Sequence, residues 1–166
     1  MKACLLLLPL ALAACATVPE STPRAASSSS ASSATALSAA TLERYQWQLH
    51  DAVDGDNKRI DALFGKPGKP LQLDFSAERV RVSNACNNIS GSYQIIEGHF
   101  VAGPLMQTRM ACADPTLMAR DTTVTAVLQG KPTAILTTTG TAPLLTLAAE
   151  SGQTLTFAGK PKAATP

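Results

Sequence analysis

Aromatic residues make up only 4% of the 166-residue sequence, charged residues 16%, and histidine occurs twice. So few aromatics leave no row of stacking platforms for bases, and a net charge of +2 leaves no clustered Lys/Arg face to neutralise several phosphates. Both shortages argue against nucleic acid as a partner. The two histidines, His50 and His99, have no recognisable nucleophile and orienting carboxylate beside them. The chain also lacks G-x-S-x-G, H-E-x-x-H, P-loop and C-x-x-C patterns. No catalytic constellation and no cofactor-binding pattern is legible, which ranks a hydrolase-related role last among the functions considered.

Long hydrophobic runs are scarce too. Leu5 to Leu12 is too short to span a bilayer, but behind Lys2 and ahead of Ala13-Ala14 it has the architecture of a secretory leader over residues 1–14. Leu12-Ala13-Ala14-Cys15 resembles the bacterial lipobox, which implies lipidation of Cys15 and a membrane anchor. Two or three acyl chains, at about 0.8 kcal/mol per buried methylene, hold a protein stably. Ala16 stands where Asp would resemble an inner-membrane retention signal, so the expected location is the outer membrane, facing the periplasm. Residues 15–41 continue as an Ala/Ser/Thr-rich stretch with nothing to bury, a tether with a span of roughly 25 to 30 Å.

Four cysteines reduce to two under this reading, because Cys4 leaves with the leader and Cys15 carries lipid. Cys86 and Cys112 remain in an oxidising compartment, where a disulfide is the default. Closing that loop stabilises by roughly 3 to 4 kcal/mol in the chain-entropy model. A metal site that adds His50 or His99 is the alternative, but no pair has zinc-ligand spacing. Calcium is disfavoured as well: Asp54 and Asp56 are followed by Lys58, and no Glu closes a twelve-residue loop.

The folded part is expected over 42–160, with a polar tail at 161–166. Alternation marks strands at 45–50, 71–75, 79–83, 90–96, 99–101, 105–110, 133–138, 144–148 and 154–158, with tight turns at Ser76-Ala77-Glu78 and Glu97-Gly98. One helix follows Cys112, with Asp114 as N-cap, Pro115 in the first position, and Leu117, Val124 and Leu128 on one face. Lys58, Arg59, Lys66 and Lys69 read as a solvated loop, or else as contacts to anionic headgroups or wall polymer. The expected fold is mainly β: a small curved antiparallel sheet or incompletely closed β-barrel with one α-helix packed on it. Asn87, Thr108 and Arg109 form a possible polar patch beside the cysteines, either an anion site or turn and strand residues with structural roles.

Trp47-x-Leu49, Cys86-Asn87, Ile89-Ser90-Gly91-x-Tyr93, Gly103-Pro104-Leu105, Thr108 and Met110-Ala111-Cys112, followed by the helix after Asp114, together resemble the META domain, or HslJ type, over about residues 42 to 158. The departure is Ala85, where many members have Gly before the Cys-Asn pair. The resemblance implies a small antiparallel barrel-like domain, frequent on bacterial envelope lipoproteins and associated with stress responses and envelope or drug tolerance. It supplies no catalytic residues. The leading expectation is a non-enzymatic lipoprotein that binds an envelope protein through a strand edge or loop face. The alternative is a module that holds a lipid or other small apolar ligand inside the barrel.

Overall fold

The computed structural model describes residues 37–64, 68–138 and 142–163; the leader, Cys15, most of the tether and Lys66 lie outside them. In chain order the elements are α1 (Ala39–Glu43), β1 (Tyr45–Val53), a 3-10 turn (Asp61–Phe64), β2 (Gln72–Ser76), β3 (Arg79–Ser83), β4 (Ile89–Ile96), β5 (His99–Ala102), β6 (Met106–Gln107), α2 (Pro115–Gln129), β7 (Thr133–Thr137), β8 (Leu144–Ala148) and β9 (Thr154–Pro161).

β1 outruns its expected end because of a bulge. Trp47 and Leu49 point inward, register then slips between Leu49 and Asp51, and exposed His50 is the extra residue. Past the slip Ala52 turns inward, so the alternation changes phase and the strand's second half is hard to read from pattern alone. The Asp54 carboxylate accepts from the Asp56 and Lys58 amides at 2.9 Å each, closing an Asx turn.

The sheet closes on itself, which corrects the expectation of an open or incompletely closed one. Neighbours run β3-β2-β1-β9-β8-β7-β5-β4, and β4 then pairs back to β3 from Arg79↔Ser92 to Val82↔Ile89. Eight antiparallel strands thus form a complete barrel. Closure is favoured because each strand buries one face and any open edge would strand unpaired backbone groups. The thinnest seam is β5–β7, where His99↔Thr133 is supplemented by Phe100 N donating to Pro132 O at 2.9 Å and Ala134 N to Gly98 O at 2.7 Å. β6 pairs with β4 alone, at Ile89 and Ser90, on the edge that β5 occupies further along.

An eight-stranded barrel is just wide enough for side chains to fill. Here Trp47, Phe75, Tyr93, Phe100 and Phe157 occupy the interior together with leucines of β1, β2, β7, β8 and β9. Tyr93 stacks on Phe100 at 5.4 Å between centroids, and Phe75 meets Tyr93 edge-on at 4.9 Å. Burying each such ring stabilises by roughly 1.5 to 3 kcal/mol. This occupied core removes the reason for placing an apolar ligand inside.

Trp47 also secures one end of the barrel. Its indole Nε1 donates to Leu42 O at 2.9 Å, tying α1 to β1, so part of the expected tether is ordered. Its ring leans on its cross-strand partner Gly159, where an added Cβ would stand 3.0 Å from the indole. At the C-terminus β9 reaches Pro161, and Lys162 Nζ donates to Phe75 O at 2.7 Å, so pairing continues into the segment expected to be a tail.

Gly91 admits the β5–β6 connection across β4. A Cβ there would stand 2.7 Å from Leu105 Cδ2 and 2.8 Å from Pro104 O, which explains physically why Gly91 and Gly103-Pro104-Leu105 occur together. α2 begins as expected, with the Asp114 side chain accepting from Thr116 N at 2.9 Å. It packs against the 3-10 turn and β5 at the end of the barrel opposite α1.

Candidate functional site

The chain leaves β3 through Asn84, whose φ of +64° is one that Asn tolerates, and whose Nδ2 donates to Pro70 O at 2.8 Å. Ala85 does not adopt positive φ, so Ala in place of Gly is accommodated there. Cys86 follows, buried and disulfide-bonded to Cys112 with Cα atoms 5.9 Å apart.

Asn87 is 4% exposed and its amide is consumed by protein partners. Oδ1 accepts from Thr108 Oγ1 at 2.8 Å and from Met110 N at 2.7 Å. Nδ2 donates to Asp121 Oδ2 at 2.7 Å. Past Gln107 one backbone bond remains, Thr108 N donating to Asn88 O at 3.1 Å, while Met110 N is taken by Asn87 Oδ1, and the strand expected over 105–110 shortens to Met106–Gln107. Of the three patch residues, the structure brings Asn87 and Thr108 together. Arg109 stays exposed outside the network.

Asp121 is the residue that sequence reading missed. Its carboxylate, 4% exposed, accepts from Cys86 N at 2.9 Å and from Asn87 N at 3.0 Å, besides the Asn87 side chain. Arg120 beside it is fully buried; one guanidinium nitrogen donates to Asn84 O at 2.7 Å, while Nε and the other terminal nitrogen have no partner among the described residues. Burial lowers the Arg120 pKa, against the opposing pull of Asp114 and Asp121. A signal existed: Arg120 and Asp121 fill the i+3 and i+4 positions between Leu117 and Val124, so two charges lie on the inward face of α2.

Asp121 also lines a groove. Gln107 of β6 faces Met118, Asp121, Thr122, Thr125, Ala126 and Gln129 of α2 across a space of about 340 Å³. Thr125 Oγ1 is buried there without a partner among the described residues. Met118, one of its lining residues, is 41% exposed. β6 has a strand on one side only, so its other edge keeps backbone donors and acceptors open. A free strand edge can take up an extended peptide by main-chain pairing. Among the described residues no three His, Cys, Asp or Glu side chains are grouped to hold a metal ion, and His50 and His99 stand apart from the groove.

Residues 40–162 match the family model of the META domain. The chain is 32% identical over 102 residues to heat shock protein HslJ of Escherichia coli strain K12, a match that covers 59% of this chain and 69% of HslJ. Among solved structures, a protein from Burkholderia xenovorans determined by NMR superposes with a TM-score of 0.64 at 23% identity, covering 75% of this chain and 87% of that one. At that identity the likeness is one of fold alone. A second NMR structure gives a TM-score of 0.55 at 28% identity over 74% of this chain and 94% of the other.

Proposed function

The chain belongs to the META domain family, and from that premise we propose that it is a non-catalytic envelope lipoprotein whose barrel docks an extended segment of another envelope protein. Lipid on Cys15 holds it at the outer membrane, and the tether lets the barrel reach into the periplasm. The observation that carries the docking reading is β6: a two-residue strand paired on one side only, whose Gln107 lines a groove walled by α2. The partner adds a strand to that edge and sets side chains against Met118 and Ala126. The name of the Escherichia coli relative, a heat shock protein, supports a role in stress tolerance.

A photo-crosslinking residue at Gln107 in intact cells tests this. It should capture one defined envelope protein, and Ala126→Glu, which puts a charge on the groove wall, should abolish the adduct without lowering the melting temperature. Recovery of monomer alone would end the docking reading. The anchor is tested separately: labelled fatty acid should enter the wild-type protein and not Cys15→Ser.

A further inference from the structure

β3 carries Arg79 and Arg81 on its outward face, two residues apart and both exposed. Register decides what surrounds them. Arg79 lies between Ser76 of β2 and Ser92 of β4; Arg81 lies between Asp74 and Ser90. Asp74 is the only carboxylate directly opposite either arginine, and its Oδ2 accepts from Gln72 Nε2 at 2.8 Å. Glu78 precedes Arg79 in the turn without pairing with it, since the one ion pair among the described residues joins Arg59 to Asp61.

Two like charges on one strand face repel each other, and Asp74, opposite Arg81 alone, offsets that repulsion only in part. The flanking serines are short, so they leave both guanidinium forks uncovered and add hydroxyl donors at the same level. Ser76, Arg79, Val80, Arg81 and Ser90 enclose a cleft of about 150 Å³. That is well below the roughly 300 Å³ at which pockets for drug-sized ligands begin.

We propose that this cleft binds a phosphoryl oxyanion, held by the guanidiniums of Arg79 and Arg81 with the Ser76 and Ser90 hydroxyls donating to the remaining oxygens. Guanidinium forks match phosphate oxygens in pairs, and a tetrahedral phosphoryl group has acceptors for all four side chains where a planar carboxylate has only two oxygens. The site lies on the β2–β3–β4 wall, formed by residues other than those of the groove between β6 and α2. The same chemistry is presented by free phosphate or a phosphate monoester, and by the phosphodiester of a phospholipid headgroup.

Amide resonances of the full chain, titrated with inorganic phosphate and separately with glycerophosphoglycerol against chloride at matched ionic strength, test the proposal. Saturable shifts are expected at Arg79, Arg81 and Ser90. They should weaken about tenfold or more in Arg79→Gln and in Arg81→Gln, the loss of one charge-assisted hydrogen bond, and persist in Arg59→Gln. Binding of inorganic phosphate alone supports the site and identifies free phosphate or a monoester as the source. Comparable binding of glycerophosphoglycerol supports it with the headgroup as the source. No saturable shift with either probe, or shifts unchanged in both arginine variants, overturns it.

Discussion

Removing the Asp121 carboxylate should destabilise the domain more than any other single polar change around the disulfide. Three donors converge on it, Cys86 N, Asn87 N and Asn87 Nδ2, at 2.9, 3.0 and 2.7 Å, in a place with almost no access to water. A buried donor left without its acceptor costs about 1 to 3 kcal/mol. Partial relaxation of the loop reduces the sum, so Asp121→Ala should cost about 3 to 5 kcal/mol, a large part of the roughly 5 to 15 kcal/mol that holds a domain together. Asp121→Asn should cost only somewhat less, because its new NH₂ group confronts donors where an acceptor stood. Urea unfolding of the oxidised protein measures both as shifts in midpoint at constant slope. A double-mutant cycle with Asn87→Ala should show coupling above about 0.5 kcal/mol, as expected for contacting residues. If Asp121→Ala costs under about 1 kcal/mol, the carboxylate does not hold the Cys86–Asn87 loop and the structural reading of this network fails.

Other changes have equally definite outcomes. Desolvation, with the negative charges of Glu43 and Glu78, pushes the Tyr93 phenol up to about 12. The folded state therefore holds this proton more tightly than the unfolded chain, where the pKa is about 10. This contribution to stability is complete below pH 10 and is lost as pH rises from about 10 to 12. Tyr93→Phe should remove that alkaline decline, seen as midpoint against pH, and should be neutral or stabilising at pH 7 because the hydroxyl has no partner among the described residues. Gly91→Ala should destabilise by about 1 to 3 kcal/mol through overpacking against Leu105 and Pro104; a change within the error of a denaturant titration would show that the crossing can relax. Ala77 and Glu78 both hold positive φ, +47° and +59°, in the two-residue β2–β3 turn. Glu78→Gly should therefore raise stability by about 0.5 to 1 kcal/mol, read from the thermal midpoint. Reduction of the disulfide, or Cys112→Ser, should lower the melting temperature, and mass analysis of the unreduced protein should find neither Cys86 nor Cys112 as a free thiol.

Local chemistry was legible residue by residue. Alternation at Leu73, Phe75, Val80 and Val82 marks two strands because a pleated chain sends successive side chains to opposite faces. Asp114-Pro115 marks a helix start because the side chain caps and the proline needs no donor. Glu97-Gly98 marks a turn because both of its residues take positive φ, which glycine adopts without strain. These signals act over a few residues, so a single chain displays them in full.

What joins distant segments had to await the fold. Nothing near Arg79 states that β3 pairs with β4 as well as β2, yet that pairing turns a meander into a closed barrel and sets serines beside both arginines. The spacing of Arg120 and Asp121 puts them on the inward face of α2 but names no partner for them; only when α2 meets the Cys86–Asn87 loop, 35 and 34 residues earlier in the chain, does the carboxylate find three donors. The edge of β6 is open because the strand pairs with β4 alone, and just beyond it Asn87 takes up Thr108 Oγ1 and Met110 N. A side chain's face follows from its neighbours in sequence, whereas its partners follow from which strands lie side by side, and that is settled by the packing of the whole barrel.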